Sequence, residues 1–123
     1  MLQVYSNNIT VSANSPIPLN NVSYKKGCTA VLSGASSIAL NKCGVYNVTL
    51  DSSSATDATV QLYVNGVAKA EAISTGTNAG FTTFVPVSQN NTNCPCTIPT
   101  VLQFVSEDAT TFDNINVTIS KMV

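Results

Sequence analysis

The residues of this chain best suited to chemistry are its four cysteines, Cys28, Cys43, Cys94 and Cys96. Four thiolates hold a structural zinc ion tetrahedrally; oxidised instead, four thiols have three possible disulfide pairings. The Cys94-Pro95-Cys96 step strains a bond between its own two sulfurs, which leaves crossed pairs, or Cys28 with Cys43 and the other two free. Cys-x-Cys is a less specific zinc signature than two Cys-x-x-Cys knuckles. A reducing cytoplasm favours zinc, an oxidising compartment favours disulfides, and buried free thiols are the third state. In each case the role is structural, because a closed site of four thiolates has no open position and no nearby residue is suited to acid–base work.

The rest of the inventory argues against catalysis. There is no histidine, and the charged residues are five lysines and six carboxylates, only 9 % of the chain. Nucleophile–base pairs, paired carboxylates and open metal sites are not on offer, so the chain reads as non-enzymatic. Asp51, Asp57, Glu107 and Asp108 are candidate oxygen ligands for calcium, although their spacing matches no calcium loop. A net charge of −1 without arginine gives no footprint for nucleic acid. No apolar run approaches the roughly 18 residues of a membrane span, so no membrane insertion is expected. The first residues, Met1-Leu2-Gln3-Val4-Tyr5-Ser6, lack the features of a signal peptide, and the expectation is synthesis and retention in a cytoplasm or release by lysis.

At 123 residues, 44 % of them hydrophobic, the chain is expected to form one domain spanning 1–123 with a real core. Its polar surface comes from 14 Asn, 14 Ser and 15 Thr, amides and hydroxyls that suit exposed β-structure. The same abundance generates five Asn-x-Ser/Thr sequons by chance, at Asn8, Asn21, Asn47, Asn90 and Asn116, and two of these fall inside strands.

Apolar residues recur at period two, and turn residues interrupt the chain every 8–12 residues or so, the rhythm of an all-β sandwich. Tyr46, Val48 and Leu50 give one apolar face to a strand at 44–50, the element around which the chain is organised. Before it come a short strand at 2–5, an edge segment at 9–13, a stretch that Pro16 and Pro18 confine to an edge or loop, and a hairpin of 28–33 with 37–40. A loop at 51–57 follows. Strands at 59–64 and 67–72 flank Asn65-Gly66, the strongest short hairpin signal. A loop at 74–79 leads to a strand at 80–87 that has Phe81 and Val85 on one face and Phe84 on the other. A long loop at 88–99 and strands at 100–105 and 113–121 complete eight to ten strands.

The run Ile38-Ala39-Leu40-Asn41-Lys42-Cys43-Gly44-Val45-Tyr46-Asn47-Val48-Thr49-Leu50 resembles the central strands of the tumour-necrosis-factor-like and complement-like trimeric jelly rolls, used by phages in virion proteins and by bacteria on spore surfaces. The resemblance covers most of 37–123. It implies an antiparallel jelly-roll sandwich whose closing and organising strands share an inner sheet packed about a threefold axis, hence a homotrimer. It also implies a structural virion protein that decorates a capsid or contributes to a head or tail fibre, assembled in the host cytoplasm among other virion proteins. The spore glycoproteins of this group carry a Gly-X-Y stem that this sequence lacks, which favours the virion over a spore or cell surface. The alternative is a receptor- or glycan-binding module, since such trimers bind through loops and inter-subunit grooves; Tyr5, Tyr24 and Tyr63 are candidate stacking residues for a host-cell glycan.

Antiparallel alternation from Gly44 onward labels the two ends of the sandwich. The near end, where the organising strand begins, receives all four cysteines, the 88–99 loop and Lys25, Lys26, Lys42, Lys69 and Lys121. The far end receives Asp51, Asp57, Glu71, Glu107, Asp108 and Asp113. The near end is therefore expected to dock onto an acidic surface of a larger assembly.

Overall fold

Alternation of apolar with small polar side chains makes each long segment of this chain a strand with one dry face. The computed structural model describes residues 1–27, 29–87 and 100–122. These form β1 (Leu2–Val11), β2 (Ser15–Pro16), β3 (Asn21–Lys25), β4 (Ala30–Leu32), β5 (Ile38–Leu40), β6 (Gly44–Ser54), β7 (Ala58–Val64), β8 (Val67–Gly76), β9 (Gly80–Val87), β10 (Thr100–Ser106) and β11 (Thr110–Lys121). One sheet runs β3-β1-β11-β6-β9; the other runs β4-β5-β10-β7-β8, with β2 added beside β10. Neighbours pair antiparallel throughout. The chain is an antiparallel jelly-roll sandwich.

The core lies between the sheets. Tyr46, Val48 and Leu50 from β6 and Ile115, Val117 and Ile119 from β11 are fully buried, facing Leu62, Leu102 and Phe104 of the second sheet and its neighbours in the same cluster. Phe81 packs at the margin, its ring 6.3 Å from that of Phe104. Tyr46 can be fully buried because its hydroxyl donates to the Lys42 carbonyl at 2.8 Å, and burial raises the phenol above its ordinary pKa.

The strand at 80–87 has the expected bounds, and several others run further than expected. β6 continues to Ser54 where a loop was expected from Asp51, because Ser52 and Ser54 turn inward and donate to the carbonyls of Ala79 (2.6 Å) and Thr56 (2.7 Å). β1 is one strand rather than two segments: Asn8 takes a left-handed φ of 52°, which leaves the register with β11 unbroken but shifts the phase so that Ile9 and Val11 turn toward the core. The segment after Pro16 and Pro18, expected as an edge or loop, supplies the edge strand β3, which pairs with β1. The described residues form eleven strands against the expected eight to ten, because the segments 2–5 and 9–13 merge into β1 while β3 and the two-residue β2 are added.

The Asn65-Gly66 turn has φ of 51° and 81°, as a two-residue hairpin requires. It is also anchored sideways, since Asn65 N–H donates to the Val101 carbonyl and Val101 N–H donates to Asn65 Oδ1, both at 2.8 Å. Gly80 opens β9 where β-carbon space is missing: a Cβ there would lie 2.8 Å from the Leu50 carbonyl oxygen. Gly80→Ala is expected to destabilise the fold by about 1–3 kcal/mol, as overpacking does. Gly34→Ala, with nothing within 4 Å, is the matched control. Equal denaturation midpoints for the two variants would refute this.

Candidate assembly surfaces

Register places the charged residues on opposite ends. Lys25 stands opposite Leu2, Lys121 opposite Tyr46, and Lys42 precedes β6, so these lysines and Lys26 share the near end. Asp57 lies between β6 and β7, Glu107 and Asp108 between β10 and β11, and Asp113 at the bulge near the start of β11, all at the far end. Asp108 also closes that end by accepting from Thr59 N–H at 3.0 Å. Two carboxylates and one lysine lie along strands rather than at the tips of the sandwich. Lys69 and Glu71 form an ion pair on β8, and the Lys69 hydrogen bond holds the Glu71 carboxyl below its ordinary pKa. Asp51 lies within the outer face of the first sheet, opposite Asn116 and Gly80.

That placement separates Asp51 from Asp57, Glu107 and Asp108, so the candidate calcium ligands are not brought together. Among the described residues no group of three or more His, Cys, Asp or Glu is positioned to hold a metal. Cys43 is disulfide-bonded. Cys28, Cys94 and Cys96, the other residues named for zinc or disulfides, lie outside the described residues, as does the whole of the expected 88–99 loop.

The outer face of the five-stranded sheet is built of amides and hydroxyls that satisfy one another across strands. Asn114 Nδ2 donates to Asn7 Oδ1 at 2.7 Å and Asn116 Nδ2 to Asn114 Oδ1 at 3.1 Å. Thr10 pairs with Thr111 at 2.9 Å and Thr49 with Thr82 at 3.2 Å. One group breaks the pattern. Asn47 Oδ1 is buried and has no hydrogen-bond partner among the described residues, and Asn47 stands between Ser120 and Phe84, a residue 56 % exposed. An unpaired buried carbonyl is costly.

The exposed large hydrophobic side chains follow the sheet edges. Among the described residues, apart from Met1 and Met122, they are Val22 and Tyr24 on β3, and Val67, Ile73 and Phe84 on β8 and β9. β3 is one edge of its sheet; β9 is the other, and β8 is the edge of the second sheet beside it. A recess of about 300 Å³ opens between β8 and β9, lined by Val64, Val67, Ala68, Lys69, Val85 and Pro86. Sequence reading found Phe84 but missed Val22, Val67 and Ile73, because alternation along a strand does not show which strands end a sheet. The three candidate stacking tyrosines are dispersed: Tyr5 opposite Asn116, Tyr24 opposite Gln3 at the β3 edge, and Tyr63 on the other sheet opposite Gln103.

The fold defines an all-β sandwich without fixing a family. No protein-family model matches the chain, and no curated protein matches it. Among solved structures it is similar to one titled "Structure of a family 35 carbohydrate binding module from an environmental isolate", at 15 % identity over 100 % of this chain and 98 % of that one, with a TM-score of 0.41.

Proposed function

We propose that this chain is a non-enzymatic structural protein of a virion, a homotrimeric jelly roll of the tumour-necrosis-factor-like kind that decorates a capsid or builds a head or tail fibre. The observation that carries the trimer is the distribution of exposed apolar side chains on two opposite edges. A ring of identical subunits uses two different patches of each copy, one meeting the other on the next copy, until rotation closes the ring. Val22 and Tyr24 offer one such patch, and Val67, Ile73 and Phe84 the other. The outer face between them, which carries Asn47, lies toward the axis in this arrangement. The pairing of β11 with β6 in one sheet agrees with the inner sheet of the trimeric jelly rolls. The virion role rests on the sequence resemblance. Light scattering in about 0.5 M salt, where charge effects are screened, is expected to give three times the 12.8 kDa chain mass; a monomer refutes the reading.

A second reading, a glycan- or receptor-binding module, is favoured by Tyr24, half-exposed beside Gln3, whose side-chain oxygen accepts from Ser23 Oγ at 3.1 Å. An aromatic ring flanked by an amide and a hydroxyl is suited to a sugar face. Binding on a glycan array that disappears in Tyr24→Ala is the expected result of this reading, and an array without signal removes it.

A further inference from the structure

We propose that copies of this protein associate end to end, the lysine-bearing near end of one against the carboxylate-bearing far end of the next. This deepens the structural role proposed above, and rests on it, by naming a second copy as the acidic surface that the near end engages. Every charged side chain can be accounted for. Of the five lysines, Lys25, Lys26, Lys42 and Lys121 are at the near end; of the six carboxylates, Asp57, Glu107, Asp108 and Asp113 are at the far end. Lys69 and Glu71 pair with each other, and Asp51 stands within a sheet face. Residues 28, 88–99 and 123 add no Lys, Asp or Glu, so they leave the balance unchanged.

The two end sets are exposed, opposite in sign and equal in number. The net charge is only −1, so copies approach without appreciable overall repulsion while unlike ends attract. A single exposed ion pair contributes little. In a trimer each end repeats its set three times about one axis, and weak contacts made together multiply. Contact between unlike ends does not close on itself, so it propagates as an open fibre.

Light scattering and small-angle scattering at about 20 mM and about 0.5 M salt test this, because surface attraction is screened across that range. At low salt the wild-type protein is expected to show at least twice its high-salt mass, in particles that lengthen without widening. The variant Lys25→Glu, Lys26→Glu, Lys42→Glu is expected to hold the high-salt mass in both buffers. So is the separate variant Asp57→Lys, Glu107→Lys, Asp113→Lys, which leaves the Asp108 bond to Thr59 intact. Zero-length carbodiimide coupling at low salt should join near-end lysines to far-end carboxylates of different copies. Within one copy this is out of reach, since the 11 residues of β6 alone span about 35 Å. A wild-type mass independent of salt, growth in width, or either charge variant associating like wild type overturns the proposal. The high-salt mass reports separately on the trimer, so failure of end-to-end association and failure of the trimer are distinguishable.

Discussion

Phe84→Lys is expected to turn a particle of three chain masses into folded monomers of 12.8 kDa. Phe84 lies on edge strand β9 and is 56 % exposed, on the face opposite the buried Thr83 and Val85. Its removal therefore costs the isolated subunit little. In the proposed ring the same side chain is buried against the next copy, at about 1.5–3 kcal/mol for a large apolar side chain, and it recurs three times. A lysine in its place must be desolvated without a partner, which costs more than truncation. The thermal midpoint of the variant monomer, compared with that of dissociated wild type, separates assembly from folding. A variant that remains trimeric would place the interface elsewhere; one that unfolds would give Phe84 a role in the core.

Phe104→Ala acts on the opposite link of the chain from sequence to assembly. Phe104 is fully buried, its carbonyl accepts from Ile17 N–H at 2.7 Å, and its ring faces Phe81. Replacing a buried Phe by Ala typically costs about 3–5 kcal/mol in lost transfer energy and cavity. Against a typical domain stability of about 5–15 kcal/mol, that is a large fraction, and Phe81 would lose its ring partner as well. Equilibrium denaturation should show the midpoint falling without a change in slope. A loss below about 1 kcal/mol would mean that the sheets close over the gap.

The two variants also mark what the sequence made legible. The β9 bounds and the inward set Tyr46, Val48 and Leu50 follow from period-two alternation, and the Asn65-Gly66 turn follows from its demand for left-handed backbone. Serines at 52 and 54 hid the end of β6: they resemble loop residues, yet each finds a carbonyl once the strands meet. Asn8 hid the unity of β1, because its single left-handed residue reverses the alternation that identifies a strand. The division of charge between ends was legible from strand parity, except for Asp51, carried into a strand with the longer β6, and for Lys69 and Glu71, whose two-residue spacing places them together. The edge positions of Val22, Val67 and Ile73 were not legible, since strand order is a property of distant pairings.

The pairing of β1 with β11 has a consequence for how the molecule is made. Leu2 stands opposite Ile119 and Val4 opposite Val117, and β11 is the middle strand of its sheet, between β1 and β6. While a ribosome is still adding β10, the first sheet is split into two halves with its central strand missing, and their apolar faces have no common partner. Contacts this remote in sequence form late and slowly, during which open strand edges invite pairing with neighbouring nascent chains. The first sheet of this domain therefore closes only once β11 is available. A chain cut short before residue 110 should be protease-sensitive along its length, and a chain that includes the twelve-residue β11 should be resistant.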